Sequence, residues 1–122
     1  MENNKIDFVT ALKLRTKEFV LASIKLFQSL PKTDEARILG KQFLRSSSSV
    51  GANYRAACRA RSKAEFFAKL SITIEEADET QFWLEILIES RIVTKDIEDL
   101  IKEAGEIVAI LTKARKTASD GR

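Results

Sequence analysis

Apolar residues recur along this chain at three- and four-residue steps, the spacing that gathers side chains on one face of an α-helix, and four such stretches are expected. The first runs from about residue 7 to 29 with Phe8, Leu12, Phe19, Ala22 and Leu26 as its inward seam. Leu30-Pro31 ends it, because the residue before proline is biased away from helical backbone. The second starts near Asp34, read as its N-cap, and continues to about residue 61, with Leu39, Phe43, Val50, Tyr54 and Ala57 on its apolar side. The third, from about 63 to 90, opens on Ser62-Lys63-Ala64-Glu65, the S-x-x-E spacing of a capping box. Phe66, Leu70, Ile74, Ala77, Gln81, Leu84 and Ile88 form its inward stripe. The fourth is expected over 95 to 117, with Thr94 as N-cap, acids in its first turn, Ile97, Leu100, Ala104, Ile107, Leu111 and Ala114 inward, and Lys113, Arg115 and Lys116 at its C-terminal end. Residues 118–122 read as a disordered tail. Nothing alternates with a strand's period, so the expected fold is all-α: one domain over residues 1–122, an up-down-up-down antiparallel four-helix bundle.

Charge changes this picture more than composition does. The net charge is only +3, from 21 basic and 18 acidic residues, but it is unevenly laid out. Between Ala36 and Ala64 lie Arg37, Lys41, Arg45, Arg55, Arg59, Arg61 and Lys63 without one acid, whereas residues 65–106 carry twelve acids against four bases. At the helical period, Arg37, Lys41, Arg45, Arg55 and Arg59 fall within an arc of about 80° along about 33 Å of helix, and Ser48 lies inside the arc. Such a stripe suits a nucleic-acid backbone, an acidic protein partner, or the acidic helix of an adjacent subunit. Tyr54 projects to the other side, leaving no interleaved aromatic for base stacking, so backbone contacts without sequence readout are expected. Five neutralised phosphates would give a slope of log affinity against log salt of about −3.5 to −4.5.

The chain has no His and a single Cys, which removes the usual general base, the commonest metal ligand and any internal disulfide. No Gly-rich phosphate loop, metal cluster or nucleophile-base constellation is present, so no enzyme activity, cofactor or metal is expected. Without a leader-like N-terminus or an apolar run long enough to span a bilayer, a cytoplasmic protein with no membrane association is expected.

Three further patterns exceed what a lone bundle needs. Ile72, Glu76, Glu79, Trp83 and Leu87 form a second stripe on the third helix, far enough from the core stripe to leave Trp83 and Leu87 near solvent. An oligomer interface would cover them; burial of the helix on a wide arc by both neighbours is the alternative. Arg15 sits on the apolar seam of the first helix, where a pair with Glu76 or Glu79 would neutralise it, unless it reaches the bundle edge. Gly40, Ser47, Gly51 and Cys58 share one narrow face of the second helix and invite close approach by a neighbour.

Gly40-Lys41-Gln42 with Arg45-Ser46, then Ser49-Val50-Gly51-Ala52-Asn53-Tyr54, then Glu76-Ala77-Asp78-Glu79-Thr80 with Trp83-Leu84-Glu85, resembles the bacterial four-helix-bundle family encoded in intervening sequences of large-subunit ribosomal RNA genes. The resemblance covers roughly Leu12 to Ala114 and marks Arg45, Asn53, Glu76, Glu79, Thr80 and Trp83 as motif positions. It implies a homopentameric, barrel-like assembly of bundles. A relative of that family, the accessory variability determinant of diversity-generating retroelements, is a basic pentamer that binds nucleic acid and associates with a reverse transcriptase. The resemblance therefore implies a homo-oligomer with nucleic acid, preferably RNA, and a reverse transcriptase or other protein as partners. Ala56-Ala57 departs from the family's pattern, which commonly has an acid before the alanine, and leaves this segment more basic.

Overall fold

The computed structural model describes residues 2–120, with side chains from 7 to 119. It contains four helices, α1 (Glu2–Gln28), α2 (Asp34–Cys58), α3 (Lys63–Glu89) and α4 (Glu98–Asp120), and no strand among the described residues. Each helix packs on its neighbours in the chain, and α4 closes on α1 along the least extensive of the four seams. The architecture is that of a four-helix bundle.

Local chemistry explains where the helices stop, and corrects several expected ends. α1 begins at Glu2 rather than near residue 7, since ENNKI holds neither Gly nor Pro to halt it. It closes in a tightened turn, with Ser29 N donating to Leu26 O (3.0 Å) and Leu30 N to Phe27 O (3.2 Å) ahead of Pro31. The N-cap of α2 is Thr33, not Asp34: its hydroxyl accepts from Ala36 N at 3.2 Å, and Asp34 is already helical. α2 ends at Cys58 with Arg59 as C-cap, three residues short of expectation. Ser62 caps α3 as expected, accepting from Glu65 N at 3.0 Å, while the Glu65 carboxylate stands 3.8 Å from Arg61 Nε. At the other end of α3, Arg91 takes a left-handed φ of 65° and Val93 N returns to Leu87 O. Thr94 does not cap α4. Asp96 does that work two residues later, its Oδ1 accepting from Glu98 N at 2.9 Å, so the helix starts at Glu98. Residues 118–120, expected in a tail, belong to α4, which places Lys113, Arg115 and Lys116 before its last turn; residues 121–122 lie outside the described residues.

The core runs through Leu12, Phe19, Leu26, Phe43, Val50, Tyr54, Leu70, Ala77, Leu84, Leu87, Ala104, Ile107 and Leu111. Burying each large side chain contributes about 1.5–3 kcal/mol, so these positions dominate stability. Two expected members of the α1 seam are absent: Phe8 is 49% exposed and Ala22 faces out, because the seam passes instead through Thr16 and Ser23. The α3 stripe is rotated in the same way. Leu70, Ala77 and Leu84 are inward as expected, but Thr73, Thr80 and Leu87 complete the face, leaving Ile74, Gln81 and Ile88 half-buried. The buried hydroxyls stay satisfied by their own helix: Thr73 donates to Lys69 O (2.8 Å) and Ser23 to Phe19 O (2.8 Å). Thr80 Oγ1 lies 2.7 Å from Glu76 O and 3.0 Å from Ser46 Oγ, whose own proton goes to Phe43 O. A hydroxyl that bonds its own backbone packs like a small apolar group, which permits α2 and α3 to approach closely.

The small-residue face of α2 does admit a neighbour, and that neighbour is α1. A Cβ on Gly40 would lie 2.6 Å from Leu30 Cδ1 and 3.1 Å from Phe27 Cδ1, and one on Gly51 would lie 2.9 Å from Val20 Cγ2. Glycine is required here for proximity rather than for backbone conformation, since neither takes a positive φ.

Candidate nucleic-acid interface

With Tyr54 buried on the inner side of α2, the stripe points outward. Arg37, Lys41, Arg45, Arg55 and Arg59 are exposed and Ser48 is half-buried. The six do not act alike. Arg37 Nη1 stands 3.3 Å from Asp34 Oδ1, one turn back on the same exposed surface. Arg45, at the edge of the arc nearest α3, crosses to that helix, donating from Nη2 to Glu79 Oε1 at 2.6 Å and from Nη1 to Glu76 Oε2 at 3.1 Å. Trp83 Nε1 donates to the same Glu79 oxygen at 3.2 Å. That bond and the one from Arg45 hold the Glu79 carboxyl below the usual carboxylate range, and the bond to Glu79 raises Arg45 further. Arg45 is thus committed to a link between helices, and its guanidinium is not free for phosphate as the stripe alone suggested.

This cluster corrects the expected role of Arg15. Arg15 does not meet Glu76 or Glu79, which Arg45 occupies. α1 sits beside α4 instead, and Arg15 makes a bidentate pair with Glu103, Nε to Oε2 at 2.6 Å and Nη2 to Oε1 at 2.7 Å, with Glu106 at 3.6 Å. Leu87 is likewise corrected: it is 0% exposed within a single chain, buried on the wide arc of α3. Trp83 is half-buried with its ring edge-on to Phe82, whereas Ile72 and Phe82 remain exposed. The motif positions Arg45, Glu76, Glu79, Thr80 and Trp83 therefore converge on one α2–α3 junction, and Asn53 lies further along α2, donating to Ser49 O and Ser49 Oγ.

Ser48, Arg55 and Arg59 of the stripe border a groove of about 570 Å³ between α1 and α2, which Arg37 and Lys41 do not line. Ser48, Gly51, Ala52, Arg55 and Arg59 form one side, and Lys13, Leu14, Lys17, Val20 and Leu21 the other. Its four cations have no carboxylate on the groove wall and no ion-pair partner among the described residues. Lys13 and Lys17 escaped the sequence reading. They stand one turn apart on α1, a signal present in the sequence, but they join Arg55 and Arg59 only because the glycine face of α2 draws α1 alongside. A second groove, of about 690 Å³ between α1 and α4, is lined by Arg15, Lys25 and Lys95 together with Glu18, Asp96, Asp99 and Glu103. Cys58 is half-buried at the foot of α2 near Tyr54, whose phenol is pushed above its usual range by burial and by this thiol.

Residues 12–113 match the family of 23S rRNA-intervening sequence proteins. The chain belongs to this family. A crystal structure of a protein of unknown function from the S23 ribosomal protein family, from Bacteroides thetaiotaomicron, is similar at 35% identity, with a TM-score of 0.82 over 88% of this chain and 97% of that one. No curated protein matches the chain. The α2 and α3 segments that carry the resemblance lie within the matched range and meet in the fold at the Arg45–Glu76–Glu79 junction. No helix among the described residues is long and apolar enough to cross a membrane.

Proposed function

We propose that this intervening sequence protein is a non-catalytic, cytoplasmic nucleic-acid-binding accessory or scaffold protein, acting on RNA through the basic surface of α2. One observation carries the reading: Lys41, Arg55 and Arg59 point outward on one side of a helix, and no carboxylate pairs with them among the described residues. Uncompensated cations in a row raise the local potential and attract a polyanion, with affinity that comes from counterion release. Helices that pack on their sequence neighbours through short connections, residues 29–33 and 59–62, support the up-down-up-down order. The family resemblance supports a homopentamer, in which symmetric copies multiply weak contacts, and a reverse transcriptase or another protein as a partner.

A second reading, an oligomeric protein-interaction module, draws on Arg45 itself, which already binds acidic residues of α3, and on the exposed Ile72 and Phe82 of that acidic helix. Size-exclusion chromatography with light scattering separates the two, run with and without a structured mixed-sequence RNA at low and moderate salt. A pentamer that shifts with RNA at low salt only is expected. Arg37→Glu combined with Arg59→Glu should leave the oligomer intact and unable to retain RNA; loss of assembly in that variant would move the stripe to the interface between subunits.

A further inference from the structure

We infer that the groove between α1 and α2 is a single-strand nucleic-acid site, in which Lys13 and Lys17 grip the backbone from the wall opposite Arg55 and Arg59. This rests on the nucleic-acid reading above and carries it further: it assigns two residues on a different helix and a class of ligand.

Charge comes first. The groove wall holds four cations and no acid, the composition of a channel for a polyanion. On each wall the two cations are four residues apart, about 6 Å along the helix, so they address successive positions on an extended backbone. Shape comes second. The floor on the α2 side is Ser48, Gly51 and Ala52, none of which projects far, and helices in contact have axes only about 8–10 Å apart. The channel between the long basic side chains admits one strand. A duplex is too wide to enter between the walls and would rest across their rims, leaving the floor and the inner faces of the walls uncontacted.

The apolar positions decide between strand and duplex. Leu14 and Leu21 are 56% and 53% exposed and lie on the groove wall among the lysines. Against a duplex they would meet only sugar and phosphate. A single strand turns its base faces outward, and these can cover the two leucines while the phosphates lie on the cations. An acidic amphipathic peptide is the other chemistry with both properties, but a peptide helix would need a continuous apolar floor, and the α2 side offers only Ser48, Gly51 and Ala52 between the cations.

The test is fluorescence anisotropy with a labelled mixed-sequence RNA oligonucleotide, single-stranded or annealed to its complement, with poly-glutamate as competitor. Lys13→Gln with Lys17→Gln removes two contacts on exposed helix surface, and circular dichroism checks that the helices remain. From a slope of about −0.7 per phosphate on a single strand, this variant should bind about 25-fold more weakly at about 0.1 M salt, and its salt slope should be shallower by about 1.4. Lys25→Gln, in the α1/α4 groove, should bind as wild type does. Leu14→Ala with Leu21→Ala should weaken single-strand binding and leave duplex binding unchanged. If the lysine variant binds as tightly as wild type, the groove assignment fails while the nucleic-acid reading stands on the outer stripe. Equal affinity for duplex and single strand, or displacement of the strand by poly-glutamate at equal charge, overturns the single-strand assignment. A wild type that binds neither RNA form removes the underlying reading together with the inference.

Discussion

Two grooves flank α1, and they differ in nearly every property that decides what a surface does. Towards α4 the groove carries three cations and four carboxylates, and its central arginine is locked in a bidentate pair with Glu103. Towards α2 it carries four cations and no carboxylate, and what holds the helices together is close contact at Gly40 and Gly51 rather than charge. On the first seam Arg15 and Glu103 are spent on each other, and Lys25 and Lys95 share their groove with Glu18, Asp96 and Asp99. The second is joined by shape, so its charges remain free to bind something else. A basic stripe on a helical wheel does not separate these cases: Arg45 and Arg55 share one arc, yet Arg45 is paired across to α3 and Arg55 borders the open groove.

The sharpest way to break the contrast is to change the packing. Gly40→Leu places side-chain atoms where a Cβ alone already lies 2.6 Å from Leu30 Cδ1. It should destabilise the protein by about 3 kcal/mol in urea unfolding, near the top of the range for overpacked cores. Ala22→Leu, on the exposed wall of the α1/α4 groove, should cost less than about 0.5 kcal/mol. Next come the charges. Arg55→Gln with Arg59→Gln should weaken RNA binding about 25-fold at about 0.1 M salt, measured by anisotropy, while Lys25→Gln with Lys95→Gln leaves it unchanged. The reverse ranking would mean that the compensated groove is the binding surface.

A smaller effect is expected at the locked seam. Glu103→Gln leaves a half-buried guanidinium with only its longer contact to Glu106 and should lower stability by about 1 kcal/mol, the pair being about a third exposed. Arg15→Met added to Glu103→Leu should restore most of it, since removing both charges also removes their desolvation cost. Smallest is the pH response of the α2–α3 junction. Glu79 titrates below its ordinary value because Trp83 and Arg45 bind its ionised form. Its contribution is therefore complete above the unfolded pKa of about 4.3 and is lost as pH falls through the lower folded value. Between about pH 5 and pH 3 the wild type should lose more stability than Glu79→Gln, read as the shift in urea midpoint at each pH.

Much of the fold was legible because local signals act locally. Pro31 and Ser62 mark turns by backbone geometry and capping, and the α2 and α4 cores follow their apolar periodicity. The α1 and α3 faces were misjudged where Thr16, Ser23, Thr73 and Thr80 replace apolar residues: each hydroxyl is satisfied by its own helix, so polarity misreports burial. The site divided along the same line. Arg55, Arg59 and Ser48 could be read from one helix alone. Lys13 and Lys17 could not, because they become part of the surface only once α1 lies beside α2, and the sequence announced a close approach at Gly40 and Gly51 without naming the helix that makes it. The partner of Arg15 was missed for the same reason, acids being available on both α3 and α4.

The contrast between a compensated and an uncompensated groove is tested most directly by the salt dependence of wild-type binding to single-stranded RNA. Four phosphates held by Lys13, Lys17, Arg55 and Arg59 correspond to a slope of log affinity against log salt of about −2.8. A slope near that value is expected, and a slope near zero would show that these cations contact no phosphate.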